Sequence, residues 1–382
     1  MNELDSIVEA WNNAVDSRND GILCTVVEVR GSAYRQPGAR MLFFPDGRRV
    51  GAISGGCLEG DVCRKAWWLT ADGRPVVRVY DSTSDDDAVW EFGLGCNGVV
   101  HVLLERGGSA GVAGTMAFVE SCHAAKTSGA VATVVRASAA SGSAPGDRLF
   151  VRDGEEPAGT LAGSPLAKEL MPWIELAWHE RRGRNVLVEG ADVFIEWIEP
   201  PQKLFVFGGG HDAMLLVRMA HELGWEVTVG DGRPAYACTQ RFPCADHVVL
   251  LDGNADIRNL GIDSDSAVLL MTHNYPQDER LLEQIMPLGP TYLGLLGPRK
   301  RAERLMSAIG ADIRSANLHA PVGLDIGAEE PAAIALSILS EIQAHLTHHA
   351  GGKLRHRSGP IHQREPDEIE FDRPVRTVAC PL

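Results

Sequence analysis

Apolar and polar residues follow two different rhythms along the chain, and the change comes near Lys203. Before that point the apolar runs are short and of mixed period. Residues 4–17 read as a helix, Ile22–Val29 as a β-rich run, and Met41–Phe44 as a strand entering an Asp46-Gly47 hairpin turn. A helix from Cys57 through Trp68 follows, then strands at Val76–Tyr80 and Val99–Leu104, a mixture that predicts an α+β domain. Residues 107–165 are rich in glycine, alanine and serine. The pattern there predicts strands at Met116–Val119 and Ala130–Val135, with an exposed loop at SAASGSAPGD. Trp173–Trp197 reads as a β-rich continuation of the same domain, and Pro200-Pro201 as a stiff boundary.

Beyond the boundary, strands and helices alternate: KLFVF, a helix running to Leu223 with Gly224 as its stop, WEVTV, ADHVVL, AVLLMTH and YLGLLG. Such alternation predicts a Rossmann-type parallel sheet with covering helices. Pro331 opens a late helix in which Ile334, Ile338, Leu339, Ile342 and Leu346 recur at helical spacing. The expected organisation is an α/β protein with an α+β domain at 1–199, a Rossmann-type domain at 200–350 and a polar tail at 351–382.

Composition narrows the function classes. With 382 residues and 45% apolar content the chain can bury more than one core, and its formal charge of −15 disfavours nucleic acid or an anionic membrane as partner. The opening MNELDSIVEAW has no basic or apolar leader and no apolar run approaches membrane-spanning length, so a cytoplasmic protein without membrane insertion is expected. The eight cysteines form no C-x-x-C pair, which disfavours a structural zinc site.

Chemistry concentrates in three loops. Phe207 ends a strand, and Gly208-Gly209-Gly210-His211-Asp212-Ala213 matches G-x-G-x-x-G/A at the start of a helix. Gly208 permits the tight turn, Gly210 lets backbone approach a phosphate, and the helix N–H groups at His211 face the anion. Asp231 closes the next strand about twenty residues on, where a carboxylate can accept from a ribose diol. His273 and Arg299 with Lys300 follow two further strands and are expected at the same sheet edge, as donor to a ligand oxygen and as phosphate partners. A packing turn with a solvated Asp231 is the plainer reading of the same residues.

In the first domain, Gly31–Arg40 is a polar, glycine-punctuated loop whose Arg35 and Arg40 can supply positive charge, and Ser54-Gly55-Gly56-Cys57 can form an anion nest before a helix. The helix terminus favours thiolate at Cys57, making it a candidate nucleophile or metal ligand. Cys96 lies in a second glycine-rich loop, GLGCNG, and both loops are consistent with one site. Inert buried thiols and ordinary turns remain open as alternatives. The acidic run at 81–87 and the histidines at 345–349 read as solvated surface.

Taken together, GSAYRQPGARM, DGRRVGAISGGCLEGDV, GLGCNGVVHVLLE, FGGGHDA, MTHN, YLGLLGPRKRAERL and HAPVGLDIGAEEPAAIALSILSEI resemble, in order, the motifs of the XdhC/CoxI family of xanthine dehydrogenase accessory proteins. The resemblance implies a chaperone of the molybdenum cofactor, as molybdopterin or its cytosine dinucleotide. Such a chaperone promotes cofactor sulfuration by a cysteine desulfurase and delivers it to an apo molybdenum hydroxylase. It also implies that Cys57 and Cys96 are candidates for contact with molybdenum or its sulfur, and that the Rossmann domain is a candidate for the phosphate end. Two rival readings use the glycine loop and Asp231 alone: an NAD(P)-dependent oxidoreductase, with His273 as its acid/base candidate, and a nucleotide-sensing scaffold. A homodimer is a further expectation, since one chain offers limited surface to enclose so large a ligand.

Overall fold

The computed structural model describes residues 3–16, 20–81, 98–139, 141–251, 255–313 and 317–358. The chain divides into two compact units, an N-terminal one at Glu3–Pro200 and a C-terminal one at Pro201–Arg357.

Among its described residues the N-terminal unit holds two antiparallel sheets. The first has the order β3-β2-β1-β5-β4, from Ile22–Gly31 (β1), Arg40–Phe43 (β2), Arg49–Gly51 (β3), Val76–Asp81 (β4) and Gly98–Arg106 (β5). The second has the order β7-β6-β9-β8, from Gly129–Ala137 (β6), Arg148–Arg152 (β7), Arg184–Val188 (β8) and Ala191–Ile198 (β9). Alternation along β1 and β6 shows why they stack. Ile22, Cys24 and Val26 pack on the helix Glu59–Leu69 (α2), whereas Leu23 and Val27 share cores with Val131 and Val135 of β6. The other face of β6, Ala130, Ala132 and Val134, packs on Leu166, Leu170 and Ile174 of the helix Pro165–His179 (α4). The helices Glu3–Asp16 (α1) and Ala110–Ala125 (α3) close one side around Ile7, Val112 and Met116.

Three charged links cross between the sheets: Arg40 to Glu196, Arg148 to Glu105, and Arg136 to Glu28. Two of these pairs are almost fully inside, with Arg40 and Arg148 exposing 5% and 4% of their side chains. Glu28 and Arg136 sit where the β1/β5 and β6/β9 registers shift, so two bulges aim the third link.

Two expectations fail here. Met116–Val119 is not a strand but the middle of α3, which Ser109 caps by accepting from the Val112 N–H. Gly111 and Gly114 weaken the local helix signal. They are present because a Cβ at Gly111 would stand 2.4 Å from Arg148 Nη1, and one at Gly114 3.1 Å from the Phe150 ring. Trp173–His179 likewise belongs to α4, where Ser164 caps the start and Pro172 is carried inside the helix. Only Arg184 onward continues as strand.

The C-terminal unit carries a wholly parallel sheet of order β12-β11-β10-β13-β14-β15. Its strands are Lys203–Phe207 (β10), Glu226–Asp231 (β11), His247–Leu250 (β12), Ala267–Leu270 (β13), Tyr292–Leu295 (β14) and Leu318–His319 (β15). Numbered within the unit this is 3-2-1-4-5-6, the doubly wound Rossmann order, with its switch point between β10 and β13. His211–Glu222 (α5) and Pro331–Leu346 (α8) cover one face, and Tyr275–Ile285 (α6) and Arg299–Ala308 (α7) the other. The late helix opens at Pro331 as its spacing predicts. Among the described residues no helix is long and apolar enough to cross a membrane.

Candidate functional site

In the N-terminal unit, the Ser54–Glu59 turn organises itself around one hydroxyl. Ser54 Oγ accepts from the N–H groups of Gly56 and Leu58, both at 3.1 Å, and hydrogen-bonds the Glu59 carboxylate. Glu59 also accepts from the N–H groups of Ile53 at 3.2 Å and Ser54 at 2.8 Å. Burial opposes the Glu59 charge, yet these donors hold its carboxyl below the usual carboxylate range. The nest expected here is therefore filled partly from within: two of its N–H groups already serve Ser54. Gly56, at φ +110°, has nothing within 4 Å of where a Cβ would stand, so its solvent face is open.

Cys57 lies just before α2, its Sγ 3.5 Å from Ser54 Oγ. It lines a shallow, open cleft together with Tyr34, Arg35, Ile53, Ser54, Tyr80 and Gly98. Tyr34 is 68% exposed, and Gly55 faces its ring, with 3.7 Å between a Cβ placed there and Tyr34 Cγ. Cys96 lies outside the described residues, as does most of the acidic run at 81–87. Of the other thiols, burial pushes Cys24, Cys63 and Cys122 up, which makes them poor nucleophiles.

The two arginines of the neighbouring loop are already engaged. Arg40 makes a two-pronged pair with Glu196, one contact being 2.6 Å, and donates to Gly38 O at 3.1 Å. Arg35 pairs with Glu3, whose other oxygen accepts from the Ala52 N–H at 2.8 Å. Arg35 still lines the Cys57 cleft, while Arg40 is a buried structural cation.

In the C-terminal unit the glycine loop joins β10 to α5. Gly208 is at φ +119°, and a Cβ there would meet Met271 O at 2.4 Å, so only glycine fits between the two strand ends. A Cβ on Gly209 would strike Tyr236 O at 2.7 Å. Around Gly210, the first position before α5, there is open space, the condition for a phosphate to reach backbone. His211 is exposed, and Ala213 packs against the sheet.

Asp231 stands at this edge but turns inward. It is 3% exposed, and its Oδ2 accepts from the Gly209 N–H at 2.7 Å and Arg233 Nη2 at 2.8 Å. Its Oδ1 accepts from the Arg233 N–H at 2.8 Å and Arg233 Nε at 2.9 Å. Burial works against the charge, and these four donors hold the carboxyl below its ordinary range. The Arg233 guanidinium lies 3.7 Å from the centroid of the Tyr236 ring, and Arg241 donates from Nε to Gly209 O at 2.9 Å. Arg233, Tyr236 and Arg241 are further candidates at this edge that their spacing does not single out; the one local signal is the Asp-Gly-Arg-Pro run directly after a strand, which contains Arg233.

His273 is 66% exposed at φ +56°, its Nε2 4.0 Å from Asp212 Oδ2 in the first turn of α5. The strand end that carries it is fixed by Thr272, which hydrogen-bonds Asp278, and by Arg301, 2.6 Å from the same carboxylate. Arg299 is 70% exposed and pairs with Glu303 at 3.1 Å along its own helix. His345 is not plain surface: it contacts Thr291 O at 2.9 Å and meets Tyr292 edge-on, while His348 and His349 are exposed. No group of three or more metal-ligating side chains occurs among the described residues.

A family model described as the XdhC Rossmann domain matches residues 204–342, and one described as the XdhC and CoxI family matches residues 14–81. The chain is similar to a probable xanthine dehydrogenase subunit of Bacillus subtilis (strain 168), with 32% identity over 86% of this chain and 94% of that one. It is also similar to the molybdenum cofactor insertion chaperone PaoD of Escherichia coli (strain K12), 26% identical over 86% of this chain and 84% of that one. A crystal structure described as a xanthine dehydrogenase from Bacillus halodurans superposes with a TM-score of 0.75 at 31% identity, covering 90% of this chain and 96% of the other.

Proposed function

Because the chain belongs to the XdhC and CoxI family, we propose that it is a maturation factor that binds the molybdenum cofactor, promotes its sulfuration and passes it to an apo molybdenum hydroxylase of the xanthine dehydrogenase type. The observation that carries the reading is the Cys57 cleft: a half-buried thiol beside backbone donors and an exposed aromatic ring, on a chain otherwise poor in positive charge.

These residues fit a soft metal held by a dithiolene. A thiolate is the donor such a metal accepts, and the remaining lining is neutral or backbone apart from Arg35. When bound, the cofactor supplies the metal centre and a terminal phosphate. The N-terminal unit supplies Cys57 at the cleft, Ser54 and Glu59 to fix the loop behind it, and Tyr34 as a stacking surface. A cysteine desulfurase is the expected sulfur source, and Cys57 the thiol placed to meet the metal or the transferred sulfur.

The oxidoreductase reading loses its main support. In a dinucleotide-binding site the acidic strand end accepts from the ribose diol, but every lone-pair position of Asp231 is already filled.

The test is isolation from cells that make the cofactor, followed by pterin fluorescence after oxidation and molybdenum analysis. Pterin and metal at near-equal amounts are expected, and Cys57→Ser should retain at least tenfold less. A protein free of both that binds NADH tightly refutes the reading. Unchanged retention and unchanged client activation in Cys57→Ser reduce the thiol to packing.

A further inference from the structure

We propose that the β11 edge of the Rossmann unit selects a ligand carrying a phosphate monoester there and rejects one offering a ribose diol. The inference rests on the reading that the glycine loop takes a phosphate-bearing ligand, and it specifies what else that ligand presents.

A carboxylate offers about four acceptor positions. Asp231 fills two on Oδ2, with the Gly209 N–H and Arg233 Nη2, and two on Oδ1, with the Arg233 N–H and Nε. A ribose diol needs an acceptor at this place and finds none. The arginine that closes the acceptor opens a set of donors. Arg233 is 53% exposed on its side chain, and Nη1 takes no part in its pair with Asp231, which uses Nε and Nη2. Arg241 spends its Nε on Gly209 O, leaving two terminal nitrogens, and its guanidinium lies 4.9 Å from the same Tyr236 ring.

Asp231, Arg233 and Arg241 together carry one net positive charge, beside the open approach at Gly210. A strand end that ordinarily accepts has become one that donates. Its complement is an acceptor-rich dianion, for which paired guanidinium groups are suited.

The phosphate can belong to a nucleotide ribose or end a short chain from a fused ring, and the test separates the two. Titration calorimetry of the full chain with NADP+ and NAD+ probes the ribose source, and with flavin mononucleotide and riboflavin the terminal source. The phosphorylated member of one pair should bind at least tenfold more tightly. Arg233→Ala should lose that preference and, by freeing two acceptor positions on Asp231, turn the NAD+ and NADP+ order toward NAD+. Arg241→Gln, which leaves Asp231 satisfied, should weaken the phosphorylated ligand without favouring the diol. Thermal melts confirm that both variants fold.

Equal binding within each pair, no binding of any of the four, or a wild-type preference for NAD+ overturns the proposal. Cofactor retention, measured separately, is untouched by those outcomes and decides the chaperone reading alone.

Discussion

Replacing Glu196 by Gln removes one charge from a link between the two N-terminal sheets and leaves Arg40 inside without its paired carboxylate, with Gly38 O and the more distant Glu105 charge to offset burial. Arg40 exposes 5% of its side chain; burial acts against its charge and Glu196 more than offsets that, so the guanidinium stays ionised. Removing one partner of such a pair costs about 3–5 kcal/mol. For a unit of this size each kcal/mol lowers the midpoint by about 2–4 °C, so a fall of roughly 6–20 °C is expected. Seven of the eight tryptophans precede residue 200, so fluorescence-detected thermal unfolding reports mainly on the affected unit. Replacing both partners, as Arg40→Met with Glu196→Leu, should restore most of the midpoint, because an apolar pair leaves no charge to desolvate. A single variant melting within about 2 °C of the parent, or a double variant no better than the single, would refute the reasoning.

Gly208→Ala forces a Cβ to within 2.4 Å of Met271 O at φ +119°, and should lower the midpoint of the C-terminal unit, followed by its lone Trp225, while abolishing phosphate-ligand binding. Acid should loosen the N-terminal sandwich through Glu28. Burial opposes its charge, but the His101 contact and Arg30 lower its pKa to about 2, below the unfolded value of 4.5. The depressed value means its contribution, about 3 kcal/mol, is complete above pH 4.5 and fades as pH falls toward 2. Urea titrations across that range should show a steeper loss in the parent than in Glu28→Gln, and parallel curves would exclude the link.

The second half of the chain was legible because its short apolar strands alternate with helices across clear turn signals, although the two-residue strand Leu318–His319 shows no pattern of its own. The Rossmann order follows from β-α alternation, and Gly208 from the sharpness of the turn. Asp231 was legible as a strand end but not as a saturated one: sequence places Arg233 two residues on without saying that it folds back. Arg40 reads as a ligand arginine in the loop, and its partner lies 156 residues away. α3 was hidden for a related reason, since its glycines serve the close approach of Arg148 and Phe150 from another strand. Local patterns report local geometry; Arg40 and α3 are decided by what arrives from elsewhere, and Asp231 by how a side chain two residues on folds back.

The charged links between the sheets also bear on synthesis. The first sheet is complete at Arg106, before any strand of the second has been made, and the face it turns to the second carries Thr25, Glu28, Arg40, His101 and Glu105 among its apolar residues. A second copy stacking on that face would bring the same residues again rather than their complements, leaving Arg40 and Glu105 without the two-pronged partners that Glu196 and Arg148 supply. Only a surface presenting Arg136, Arg148 and Glu196 in the right places relieves Glu28, Arg40 and Glu105 at once. These charges therefore favour the sheet's own partner over another half-made chain.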